Sequence, residues 1–177
     1  SKCSMSIKFF GSIGVLFFLL PAFANAEIVI SEIMYDVPGS DSGREWIEVH
    51  NTGETAVDIT GWKLFESSTH HKITPEQSAV IPSGGYAVIA DNTVAFREDW
   101  PAYAGIMFDS AFSLKNTGEP ITLKNASSTV LFETAYEARV ARGDGNSLNR
   151  VGSVWEARTP SPGATAHVSA IIPRVAD

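Results

Sequence analysis

The stretch Gly43 to Asn51, GREWIEVHN, places Glu45, Glu48 and His50 close together in the chain, with Trp46 among them. Carboxylates and an imidazole at such spacing are the side chains of metal centres and of general acid and base chemistry. On an extended strand, side chains at i and i+2 stand about 6–7 Å apart on one face, so Glu48 and His50 are able to share an ion. A catalytic zinc needs three protein ligands, and Asp41 on the flanking loop is the only third one on offer. Alternation favours a plainer reading. Ile47 and Val49 share an apolar face and point into a core, which sends Trp46, Glu48 and His50 outward as the solvated side of a structural strand. The expectation is therefore no catalytic residue, no metal ligand and no cofactor, with Trp46 a partly exposed platform.

The elements around this strand are short alternating runs separated by Gly, Pro, Asn, Asp and Ser clusters, which predicts many strands and almost no helix. EIVISEIMY, REWIEVHN, VDITGWKLF with a kink at Gly61, YAVIA and the meander FSLKNTGEPITLKNASSTVLFETAY read as strands, and HKITP as a short one. TVAFREDWPAYAG, residues 93–105, reads as a loop with at most one helical turn, ended by Pro101. GDGNSLNRVGSVWEARTPSPGA closes the folded unit at Ala164. Strands at regular spacing without intervening helices predict an all-β sandwich or barrel.

The chain opens differently. Lys8 precedes an apolar run from Ile13 to Leu20, then come a breaker at Pro21 and small residues at Ala24 and Ala26. That is the pattern of a secretory signal peptide cleaved after Ala26, with Met5 the natural start and residues 1–4 an upstream extension. The run is too short to span a bilayer, so residues 1–26 predict export rather than anchoring, to the extracellular space or the cell envelope. Residues 27–164 then form one domain and 165–177 a tail or linker. Without Lys2 and Lys8 the balance is 11 basic against 20 acidic residues, or −9. Such a charge disfavours nucleic acid as partner, because a phosphate-binding face needs clustered Lys and Arg. The single cysteine, Cys3, falls in the leader, which leaves no disulfide, thiolate nucleophile or cysteine zinc site beyond it.

Seven segments in order, VISEIMYD, EWIEVHN, VDITGWKL, IPSGGYAVIADN, FSLKNTGEPITLKN, NSLNR and TPSPGA, resemble the lamin tail domain, found in nuclear lamins and in many exported bacterial proteins. The resemblance covers nearly all of residues 27–164. It implies an immunoglobulin-like β-sandwich and a role in binding or tethering, with no catalytic residues to carry over. No coiled-coil heptads precede the domain in residues 1–26, so a filament-forming lamin is not the expectation.

The remaining motifs carry little chemistry. His70 and His71 read as a solvent-exposed pair, since adjacent strand residues point opposite ways. PGSDSG and RGDGNS offer oxygens that calcium uses, but neither has EF-hand spacing and both suit ordinary turns. The RGD at Arg142 to Asp144 is too short to mark adhesion. There is no G-x-S-x-G, H-E-x-x-H or P-loop. Trp62, beside Ile59 and Leu64, is expected in the core. The functional expectation is a non-catalytic exported module that recognises a protein or anchors at the envelope. A carbohydrate- or calcium-dependent surface-binding module is the alternative, and a metal-dependent hydrolase comes third.

Overall fold

The structure, a computed structural model, describes residues 28–137 and 141–164, so the expected leader and tail lie outside the described residues. The strands are β1 (Ile28–Met34), β2 (Trp46–Asn51), β3 (Val57–Asp58), β4 (Lys63–Glu66), β5 (Thr69–Lys72), β6 (Thr74–Pro75), β7 (Val80–Ile81) and β8 (Tyr86–Ala90). Helix α1 (Thr93–Asp99) follows, and then β9 (Ile106–Asp109), β10 (Pro120–Lys124), β11 (Val130–Ala135), β12 (Ser147–Val151) and β13 (Val154–Arg158). A seven-stranded sheet, β13-β12-β1-β2-β8-β9-β6, packs against a four-stranded sheet, β11-β10-β4-β5, and β3 pairs with β7. The expected immunoglobulin-like β-sandwich is what forms.

The core lies between the sheets and follows the alternation of the strands. Ile30, Ile33, Ile47, Val49 and Ile89 of the larger sheet meet Leu64, Ile121 and Leu123 of the smaller one. A register shift between Ile30 and Glu32 marks a bulge at Ser31. The extra residue changes the parity of β1, so that Ile30 and Ile33 both face the core while Glu32 turns outward, directly opposite Glu48.

Two elements differ from expectation. VDITGWKLF is not one strand but β3 and β4 in separate sheets, because Gly61 at φ +73° turns the chain. Residues 93–105 begin with a seven-residue helix rather than a loop with a single turn. Asn92 caps it by accepting from the Val94 and Ala95 N–H groups at 2.9 and 3.1 Å. Phe96 and Trp100, one turn apart, pack on the sheet in a second apolar cluster with Met34, Trp46, Val88 and Met107. The helix also makes the crossover that the parallel pairing of β8 with β9 requires.

Trp62 is half-buried and lies against the main core rather than inside it. Trp62→Ala is accordingly expected to cost about 1–3 kcal/mol, less than the emptying of a closed core site. Chemical denaturation would read this directly, and a loss beyond about 4 kcal/mol would mean that the side chain is sealed in.

Candidate functional site

The β2 strand divides as alternation requires, with Ile47 and Val49 fully buried in the core. Its other face is not solvated. Trp46 and Glu48 are each 1 % exposed, which corrects the outward, solvent-facing placement expected for both. Helix α1 and the loop after it cover Trp46: its ring meets Phe96 and Trp100 edge-on at centroid distances of 5.8 and 6.0 Å. Trp46 is thus no binding platform. Glu48 lies under the segment Thr159 to Ala164, the TPSPGA that follows β13. Alternation shows which residues share a face but not whether something distant in sequence closes over it.

That segment is tied down through carboxylates. Glu48 accepts from Ser31 Oγ at 2.8 Å and from the Gly163 N–H at 2.5 Å. Glu32 accepts from the Ser161 N–H at 3.0 Å, from Ser161 Oγ at 3.2 Å and from Ser147 Oγ. Burial pushes Glu48 up to about 7 and raises Glu32 as well, against the opposing pull of these donors. The like charge of Glu32 raises Glu48 further. The cross-strand pair thus acts as an anchor for six residues of chain.

Three other buried acids serve the backbone or a neighbour in the same way. Glu45 accepts from the Leu114 N–H at 2.8 Å, and burial pushes it up to about 8. Glu119 accepts from the Lys115 N–H at 2.8 Å and Ser67 Oγ at 2.7 Å. Glu66 sits 2.8 Å from His71 Nε2. His71 is consequently half-buried on the inner side of β5 while His70 is exposed on the outer side, so the pair is split rather than exposed together.

His50 stays half-buried, stacked on Tyr86 with ring centroids 4.1 Å apart and planes within 6°. Both line an open groove of about 630 Å³ on the outer face of the larger sheet, with Val29, Glu48, Asn149 and Arg158. Asp41, the one candidate third ligand, lines a different cavity with Glu45 and Asp91 and accepts from Asn116 Nδ2 at 2.7 Å. Among the described residues no three acid or histidine side chains converge to hold a metal ion. The PGSDSG loop closes on a guanidinium: Arg44 donates to the Pro38 and Ser40 carbonyls at 3.2 and 3.1 Å and holds Asp99 with two bonds. In RGDGNS, Asp144 accepts from the Asn146 N–H and side chain, an ordinary turn. No signal in the linear sequence pointed to the Glu32–Glu48 anchor, apart from the polar donors of TPSPGA.

The family model of the Lamin Tail Domain matches residues 21–152, three quarters of the chain. The chain belongs to the lamin tail domain family. No curated protein matches the sequence as a relative. Lamin tail domains are non-enzymatic immunoglobulin-like β-domains that often take part in protein interactions. The family match ends ahead of β13, so β13 and the anchored segment extend this lamin tail domain beyond the matched part.

Proposed function

We propose that this lamin tail domain is an exported, non-catalytic module, spanning residues 27–164, that recognises a protein at the cell envelope. The observation that carries the reading is the use made of the acids: Glu32, Glu45, Glu48 and Glu119 are buried and accept from the chain's own backbone and hydroxyl groups. Glu48 and Glu45 reach the walls of cavities, yet each is already engaged there by donors of the chain itself, Ser31 and Gly163 on Glu48 and Leu114 on Glu45. No described helix is long and apolar enough to cross a membrane. The leader pattern of residues 1–26 supports export, and the open groove beside His50 and Tyr86 offers a concave surface to a partner. The flat stacked pair is also the feature that a carbohydrate would use.

Expression with the leader in a bacterial host tests export: the exported protein should begin at Glu27, and a mature N-terminus at Met5 would remove that part of the reading. The purified protein should then bind an envelope fraction saturably, and protease treatment of the fraction should abolish binding. Binding that survives protease but is lost on glycosidase treatment would replace protein recognition by sugar recognition. Metal-dependent hydrolysis of any ester or phosphoester substrate would overturn the non-catalytic assignment.

A further inference from the structure

Lys63, Lys72 and Lys124 lie far apart in sequence, yet the pairing of three neighbouring strands sets them side by side. Lys124 is directly opposite Lys63 across β10 and β4, and Lys63 is directly opposite Lys72 across β4 and β5. Three of the four lysines beyond residue 26 thus form one row on the outer face of the smaller sheet. Phe65 and His70 stand opposite one another in the next row of the same face. Like charges directly opposite on adjacent strands are destabilising, so the row costs the fold something. Four other described cations are each paired with an acid, Arg44 with Asp99, Arg97 with Glu76, Lys115 with Glu119 and Arg158 with Glu156, and Arg150 lies over the Phe132 ring. Among the described residues no carboxylate reaches the three lysines of the row. Lys63 donates to Ser128 Oγ, and Lys124 lies 3.2 Å from His70 Nε2 and 3.6 Å from the Phe65 ring centroid. Glu133, an acid on the same face, stands at its far margin opposite Thr122.

The row ends at an open edge. β5 is the last strand of its sheet and pairs only with β4. The Ile73 N–H donates to the Trp62 carbonyl, which by alternation makes Leu64 and His71 the next bonded pair. His70 and Lys72 therefore turn their backbone N–H and C=O groups away from β4, toward solvent. A lysine at an edge is an ordinary guard against strand addition. Lys63 and Lys124 are on interior strands and guard nothing, and the three together admit one kind of newcomer, a strand that brings negative charge.

We propose that the β5 edge accepts an extended acidic segment of a partner protein, with carboxylates at alternate positions beside Lys72 and His70, as an added strand of the smaller sheet. The inference deepens the protein-recognition reading and rests on it. A neighbouring strand would lie about 4.8 Å from β5, which brings a carboxylate opposite Lys72 into ion-pair range and relieves the repulsion along the row. Nucleic acid and sugar fit less well, because Lys124 covers the Phe65 ring that a base or pyranose would stack on, and because only a peptide can use the outward backbone groups.

Fluorescence anisotropy with a synthetic peptide alternating Asp with Val or Thr tests this. The purified chain should bind it, and Lys63→Gln/Lys72→Gln/Lys124→Gln should weaken binding at least about tenfold, while Arg97→Gln leaves it unchanged. The same peptide N-methylated along its pairing edge should not bind. Thermal melts of the triple variant should match or exceed those of the parent, since it removes like-charge contacts. Failure of the peptide to bind, binding indifferent to the triple substitution, or equal binding of the N-methylated peptide overturns the proposal. So does tighter, lysine-dependent binding of single-stranded DNA or a polyuronate. Protease-sensitive envelope binding that persists in the triple variant would leave protein recognition standing and remove this edge as its site.

Discussion

Trp46→Ala is expected to destabilise the protein by about 3–5 kcal/mol, the range for emptying a closed aromatic site. The indole is almost fully buried, and it holds together two elements that share no hydrogen-bond ladder. On one side are the outer faces of β1, β2 and β8, through Met34, Trp46 and Val88, and on the other are Phe96 and Trp100 of the helical crossover. Without the ring Phe96 and Trp100 lose their shared edge-on partner and keep only Met34, Val88, Met107 and their smaller neighbours, so the helix's cover of the sheet should loosen along with the global stability. Denaturant titration gives the size of the loss. Hydrogen exchange gives its location, with faster exchange expected at residues 93–103 than at β10 and β11. A loss near that of an ordinary surface change, below about 1 kcal/mol, would mean that the helix is held by something else.

The second large effect is on pH. Glu48 and Glu45 have folded-state values of about 7 and about 8, and Glu32 is also raised, all chiefly by burial. An unfolded glutamate titrates near 4.5, so between that pH and the folded values the folded protein keeps protons that the unfolded chain has released. The contribution is fully present below about 4.5 and is lost as pH climbs to about 8. Over that window the loss should be on the order of several kcal/mol, with a fall in Tm of several degrees or more. Glu76 and Asp144 are shifted the other way by their hydrogen bonds, and their stabilisation is lost only in stronger acid. His50, lowered by burial, works against the acids in the same window, since its contribution is present above its ordinary value and lost as pH falls, so the optimum is expected on the acid side of neutrality. Melts from pH 4.5 to 8.5 would show it, and Glu45→Gln/Glu48→Gln should flatten the curve. A Tm that rises across this range would refute the assignment.

Much of the fold could be read from the sequence because period-two alternation and turn residues are local signals. Ile47 and Val49 fell where alternation put them, Ile121 and Leu123 of the expected meander are buried beside them, and the turn residues at Pro82 to Gly85 and Asn125 to Ser128 separate real strands. The helix had a signal too: Asn92 before Thr93 is an N-cap, and Phe96 and Trp100 repeat at i and i+4. The covered state of Trp46 and Glu48 had none, since the covers come from residues 93–103 and 159–164, and neither segment carries a local sign of the face on which it packs. The lysine row was invisible for a related reason. Register between strands, not spacing along them, brings Lys63, Lys72 and Lys124 together, so a search for clustered basic residues passes over it.

The contacts of Ser161 and Gly163 with the buried acids bear on how the domain would transmit a pull. Tension applied to the chain beyond Ala164 does not reach the β12–β13 hairpin first. It is borne at Gly163 on Glu48 and then at Ser161 on Glu32, in the middle of the larger sheet, three and two strands inward from its β13 edge. These bonds must give way one after the other before β13 can be peeled from β12. Because both acids titrate with burial, the grip of this latch is set by the acidity of the surroundings, and a module that holds one thing to another would carry its load through the centre of the sheet rather than through its border.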